Sequence, residues 1–196
     1  MNMEYRLDKQ SLLELLSLWN KFFKRKVRLV ACGGTALTLQ DIKSSTKDVD
    51  FLIPEEGEYK YLIKIIQQLG YQQTTGSGWQ KPGEAYIFDL YPGQRIHTTD
   101  LLESPLKEGN HFWIKTLQHI SIGILNHYDL VVSKLFRGSG VDFEDCLALF
   151  RAKAREIDIK KLEDRYKETA GYDVSEERIL KHWEHFKRLL EKEKLI

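Results

Sequence analysis

The chain has 196 residues, 42% of them hydrophobic and 30% charged, with only four prolines, so it holds enough apolar material for a real core and too little bias for disorder. Thirty Lys plus Arg against 29 Asp plus Glu leave a formal net charge of +1, which excludes a uniformly basic coat for nucleic acid; a polyanion would have to meet a local patch. The length fits one domain or a domain with an appendage, and excludes two large domains.

From Ser11 the apolar positions Leu12, Leu15, Leu16, Trp19, Phe22 and Phe23 recur at helical spacing, and Ser11 with Glu14 has the form of a capping box. VRLVAC then reads as a short strand ending at Gly33-Gly34, and TALTLQDI as the start of a helix. KDVDFLIP is a strand stopped by Pro54, and in EYKYLIKIIQQLG the residues Tyr61, Ile65, Ile66 and Leu69 share a helical face before Gly70. Residues 71–84, rich in Gly, Thr, Ser and Gln, predict a loop or hairpin tip, and EAYIFDLYP a strand. Segment 94–125 predicts one or two further short strands. After Asn126 four stretches read as helices, and the last 46 residues hold 13 Lys/Arg and 11 Asp/Glu. The expected fold is α+β, a mixed β-sheet flanked by helices over residues 1–125, with a C-terminal helical region over 126–196 packed on that core.

Cys32 and Cys146 lie far apart in apolar surroundings with no zinc-ligand spacing, and are expected to be buried free thiols in a reducing compartment. The start MNMEYRLDKQ has neither the basic start nor the apolar run of a secretory signal, and no stretch is long and apolar enough to span a bilayer. The expected location is the cytoplasm, without membrane contact.

Chemistry concentrates between Gly33 and Asp89. In a strand, Asp48 and Asp50 project to one side while Val49 and Phe51 go to the other. Asp is depleted in strands, and two close carboxylates repel unless a cation lies between them. Hard oxygen donors select Mg²⁺ or Mn²⁺, commonly completed by substrate phosphates. Gly33-Gly34 offers a backbone that a phosphate could approach closely, at the start of a helix, and Thr35 could add a hydroxyl donor. Asp89, inside the apolar run AYIFDLY, shares a face with Ile87 and Tyr91. If that strand pairs beside DVDFLI, three acidic groups surround one metal site.

Other features have plainer readings. The cations Lys21, Lys24, Arg25, Lys26 and Arg28 fit the solvated end of a helix better than an RNA grip. His182 and His185 lack a third zinc ligand. Trp79 could stack on a base or pin its loop to the core.

In this order, GGTALTL, STKDVDFLIP and IFDLY resemble the nucleotidyltransferase superfamily of the polymerase β type, and most closely the minimal nucleotidyltransferases related to the AbiEii and MenT toxins. DLVVSKLFRGSGVDFEDCLAL is similar to the helical region that follows the core in those proteins. The resemblance implies a Mg²⁺- or Mn²⁺-dependent enzyme that transfers a nucleoside monophosphate from an NTP, such as ATP, to a hydroxyl on an RNA 3′ end, a protein or a small molecule. It assigns Asp48, Asp50 and Asp89 to metal binding and catalysis, and Gly33, Gly34 and Thr35 to the triphosphate. Lys134 is thereby implied to contact phosphates, with Asp142 or Asp145 closing the site. On the residues alone, Lys134 reads as a solvated helix residue and Asp142 as a helix N-cap. The likeness to toxins implies an antitoxin partner by analogy. The rival class is a non-catalytic protein of the same fold that senses nucleotide or docks a partner.

Overall fold

Asp8, not Ser11, starts the first helix. Its side chain accepts the Ser11 backbone N–H at 2.8 Å and caps α1 (Lys9–Asn20), while Glu14 accepts instead from the Gln10 amide. The capping box expected from Ser11 and Glu14 is therefore absent, because Ser11 already lies inside the first turn. Leu12, Leu16 and Trp19 form the buried stripe of this helix.

This computed structural model describes residues 6–196. The chain divides into two units: one comprises the residues up to Arg95 with Glu103–Leu125, the other Ile96–Leu102 with Asn126–Ile196. Residues 96–102, read from sequence as part of the α/β core, thus join the helical unit. Among the described residues no helix is long and apolar enough to cross a membrane.

In the α/β unit, β1 (Val27–Ala31), α2 (Gly33–Leu39), β2 (Asp48–Ile53) and α3 (Glu56–Gln68) follow α1. Then come β3 (Gln72–Gln73), β4 (Gly78–Gln80) and β5 (Ile87–Pro92). The small strands β6 (Arg95–Ile96) and β7 (Thr99–Asp100) pair in a separate two-stranded sheet, and β8 (His111–Thr116) and β9 (Ile120–Leu125) complete the main one. That sheet has seven strands in the order β3-β4-β5-β2-β1-β9-β8. It is mixed: β1 runs parallel to β9 and antiparallel to β2, and β2 runs parallel to β5. The Gly/Thr/Ser-rich stretch forms the β3–β4 hairpin, which adds to the sheet beside β5.

Alternation along β2 and β5 sends Val49, Phe51, Phe88 and Leu90 to one face, where all four are fully buried. There Phe88 meets Trp19 at 4.5 Å and Tyr71 at 5.7 Å between ring centroids. These contacts anchor α1 to the sheet and leave the opposite face of the same two strands for Asp48, Asp50 and Asp89.

The helical unit contains α4 (His127–Arg137), α5 (Gly140–Lys153), α6 (Ile159–Ala170) and α7 (Glu176–Lys192). Tyr166 stacks on Trp183 at 5.2 Å and meets Phe136 at 5.4 Å, and its hydroxyl donates to the Ile179 carbonyl. α4 touches α5, α6 and α7, and every residue from Asp129 to Phe136 is buried. The charges that such a surrounded helix carries must find partners inside the protein. Asp129 does so in a two-pronged pair with Arg165, at 2.6 and 2.8 Å.

Candidate active site

β2 and β5 pair in parallel register with Asp50 opposite Asp89 and Asp48 opposite Ile87. Residues in register share a face, so the three aspartates stand on one side of the sheet, Asp50 and Asp89 on adjacent strands roughly 5 Å apart along the ladder. Asp48 lies two residues back along β2 and is exposed, while Asp50 and Asp89 are half-buried. Two residues of strand span roughly 7 Å. The acids therefore form a bent row, and among the described residues no three His, Cys, Asp or Glu side chains close into a preassembled metal cluster.

Backbone chemistry fixes the row. Thr35, expected from sequence to offer its hydroxyl to phosphate, is wholly buried; its Oγ1 accepts the Asp50 N–H at 2.9 Å and donates to the Asp48 carbonyl at 3.3 Å. The hydroxyl is committed to holding β2 because Thr35 sits in the first turn of α2, on the side that packs against that strand. Thr46 donates to the same Asp48 carbonyl at 2.7 Å. Two threonines outside the acidic motif thus set the backbone of Asp48 and Asp50.

Gly33 and Gly34 open α2 rather than forming a separate turn. Gly33 has φ +56°, and a Cβ built there would lie 2.5 Å from Asp50 Oδ2. Only glycine fits both the left-handed backbone and the carboxylate beside it. On the far side of the site the Ser77 hydroxyl donates to Asp89 Oδ1 at 2.9 Å. Tyr91, next on the Asp89 face, is buried. Burial, and then the charges of Asp50 and Asp89, push the Tyr91 phenol far above its ordinary value, so it stays neutral.

The residues present fit a hard divalent cation. Asp50 and Asp89 offer carboxylate oxygens from facing positions, and the missing Cβ of Gly33 leaves the Asp50 carboxylate room to hold its place.

Lys134, Asp142 and Asp145 are brought together within the helical unit. Lys134 is 3% exposed and its ammonium donates to Asp145 Oδ2 at 2.7 Å, with Asp142 Oδ1 at 3.8 Å. The solvated reading of Lys134 is wrong, because α4 has no solvent face at this point. Asp142 is not the helix N-cap either: Ser139 caps α5, and Asp142 closes the capping box from the third helical position. Arg137 grips its carboxylate at 2.8 and 2.5 Å.

Burial raises the Asp142 carboxyl, but hydrogen bonds from Arg137 and Ser139 and the charges of Arg137 and Lys134 outweigh it, holding the group below its ordinary value. The folded state therefore releases this proton more readily than the unfolded one. The resulting stability is complete above about pH 4 and is lost as pH falls through the depressed value. Thermal unfolding followed from pH 7 to pH 2 should show this loss, with a shallower fall in Asp142→Asn; equal pH dependence in the two proteins would contradict it.

The remaining expectations resolve simply. Arg28 pairs with Glu58, and Arg25 lies 5.7 Å over the Tyr61 ring, so part of the basic run serves packing. Trp79 is buried on β4 and pins the hairpin to the sheet. His182 Nδ1 bonds the Leu135 carbonyl at 2.8 Å, and its ring meets Phe143. Both cysteines are buried free thiols.

Residues 114–191 match a family described as "Nucleotidyltransferase of unknown function" (DUF6036). That stretch takes in Lys134, Asp142 and Asp145 and leaves out the acidic row. Among solved structures, a candidate nucleotidyltransferase from Thermotoga maritima is similar at 14% identity over 70% of this chain and 91% of that one, with a TM-score of 0.46. An antigenic nucleotidyltransferase-like protein from Paracoccidioides brasiliensis is similar at 12% identity over 91% and 95%, with a TM-score of 0.49. No curated protein sequence matches the chain.

Proposed function

We propose that this chain, similar over residues 114–191 to a nucleotidyltransferase family, transfers a nucleoside monophosphate from an NTP to a hydroxyl acceptor. The observation that carries the reading is the parallel register setting Asp50 against Asp89, with Asp48 on the same face and Gly33 pressed against the Asp50 carboxylate. Adjacent like charges on an apolar strand pair are costly unless a cation uses them. Asp50 and Asp89 would hold Mg²⁺ or Mn²⁺, with Asp48 at the open end of the row. When bound, the ion supplies charge neutralisation for the triphosphate and the departing pyrophosphate.

The protein's own residues do the positioning. Thr35 and Thr46 keep the backbone of the acids fixed through the hydrogen bonds that end on Asp48 and Asp50. Gly33 and Gly34 leave the start of α2 without side chains, so a triphosphate can approach beside Asp50. On this reading Asp89 would also accept the proton of an incoming hydroxyl. Catalysis on this plan is mostly alignment and electrostatics.

The test is incubation of the chain with each α-labelled NTP, Mg²⁺ and a mixed RNA and protein extract. Label in one macromolecular or small-molecule fraction, lost when the metal is chelated, supports the reading and identifies the acceptor class. Nucleotide binding without transfer under every condition would leave a non-catalytic nucleotide sensor as the better account.

A further inference from the structure

The β3–β4 hairpin reads from sequence as a loop or hairpin tip, and its last turn is tied to the acidic strand. The Leu90 backbone N–H donates to the Ser77 carbonyl at 3.0 Å, and Gly78 stands in register with Asp89. Inside the turn, Thr74 N–H donates to the Gly78 carbonyl at 2.9 Å and Gly78 N–H to the Thr75 carbonyl at 3.2 Å. A Cβ at Gly78 would lie 2.3 Å from Thr74 Oγ1 and 3.2 Å from the Thr75 carbonyl oxygen, so any side chain there would make the turn shift. These contacts present one hydroxyl, that of Ser77, to Asp89 Oδ1 at 2.9 Å.

We propose that Ser77 is a positioning residue for the metal site: its hydroxyl, fixed by the hairpin turn, holds the Asp89 carboxylate in one orientation. With Oδ1 occupied by Ser77, the other carboxylate oxygen is the one left to a cation. Partners that orient a metal-ligating carboxylate change metal affinity or activity by roughly 10–100-fold when removed. The proposal rests on the metal-dependent reading of the acidic row, and the experiment separates the two.

Mn²⁺ alone is titrated calorimetrically into the full chain and into Ser77→Ala, Ser77→Thr and Asp89→Asn, each checked by thermal unfolding in chelator. Ser77→Ala is expected to bind Mn²⁺ about tenfold more weakly with an unchanged melting temperature, and Ser77→Thr, which restores the hydroxyl, to bind as the parent does. Parent-like Mn²⁺ affinity in Ser77→Ala, with binding lost in Asp89→Asn, overturns the role of Ser77 and leaves the metal site standing. A parent chain that binds Mn²⁺ no better than Asp89→Asn overturns the metal reading and this inference with it. Equal weakening in Ser77→Ala and Ser77→Thr also overturns it, since the hydroxyl would then be irrelevant.

Discussion

Asp50→Asn is expected to abolish nucleotide transfer, by at least about 100-fold, a larger loss than removing an outer partner of a metal ligand brings. The substitution keeps the shape of the side chain beside Gly33 and removes one of two charges that face each other across β2 and β5. Like charges directly opposite in a sheet destabilise it by up to roughly 1 kcal/mol. In chelator, therefore, the variant should melt at the parent's temperature or slightly above. Transfer of α-labelled NTP and thermal unfolding, measured on the same preparation, read the two effects separately. A variant that fails to fold would give the Asp50 carboxylate a structural role, and undiminished transfer would remove it from the site.

The second large effect concerns stability. Lys134→Ala should cost about 3–5 kcal/mol, because it leaves two aspartates facing an empty place inside the helical unit. The Lys134 side chain is 3% exposed, and those of Asp142 and Asp145 are 0% and 8% exposed, so the substitution strands the Asp145 charge in a buried place. Asp142 keeps Arg137 as a partner, which places the expected cost toward the lower end of that range. A fall in melting temperature of roughly 6–12 °C follows for a chain of this size. Replacing the pair together, Lys134→Met with Asp145→Leu, should recover much of the loss, since apolar residues of similar volume often substitute for a buried ion pair. A fall of only a degree or two in Lys134→Ala would show that the ammonium reaches solvent. Weaker NTP binding by this variant reports on the helical unit as a whole and not on one phosphate contact.

Periodicity exposed most of the elements, and local chemistry hid most of the errors. The apolar stripes of α1 and α3, the strands around Asp48–Ile53 and Ile87–Pro92, and all four C-terminal helices stand close to where the sequence places them, and α1, α3, α6 and α7 are marked by one-face patterns of their own. Alternation also put the three aspartates on one face. The solvated reading of Lys134 failed for a different reason: its burial depends on three other helices packing around α4, which no single-helix pattern records. Thr35 looked like a phosphate donor because its hydroxyl is next to the glycines, while its true partners, the Asp48 carbonyl and the Asp50 N–H, lie on β2. Ser77 gave no signal at all. A serine in a Gly/Thr-rich tip is ordinary, and only the pairing of β4 with β5 shows what it faces.

The placement of β1 between β2 and β9 has a consequence for synthesis. Val27 pairs with Ile120, 93 positions later, whereas the other edge of β1 meets β2 within the first 53 residues. A nascent chain can form the β1–β2 and β2–β5 ladders early, but one flank of β1 stays open until β9 has left the ribosome. Val27, Leu29, Val30 and Ala31 are all fully buried in the finished protein, so the waiting edge is apolar as well as unpaired. Closing so long a loop is slow, and an open apolar edge recruits other chains in the interval. Fragments that stop short of residue 120 keep that edge open, because the strand that covers it, β9, is missing from them.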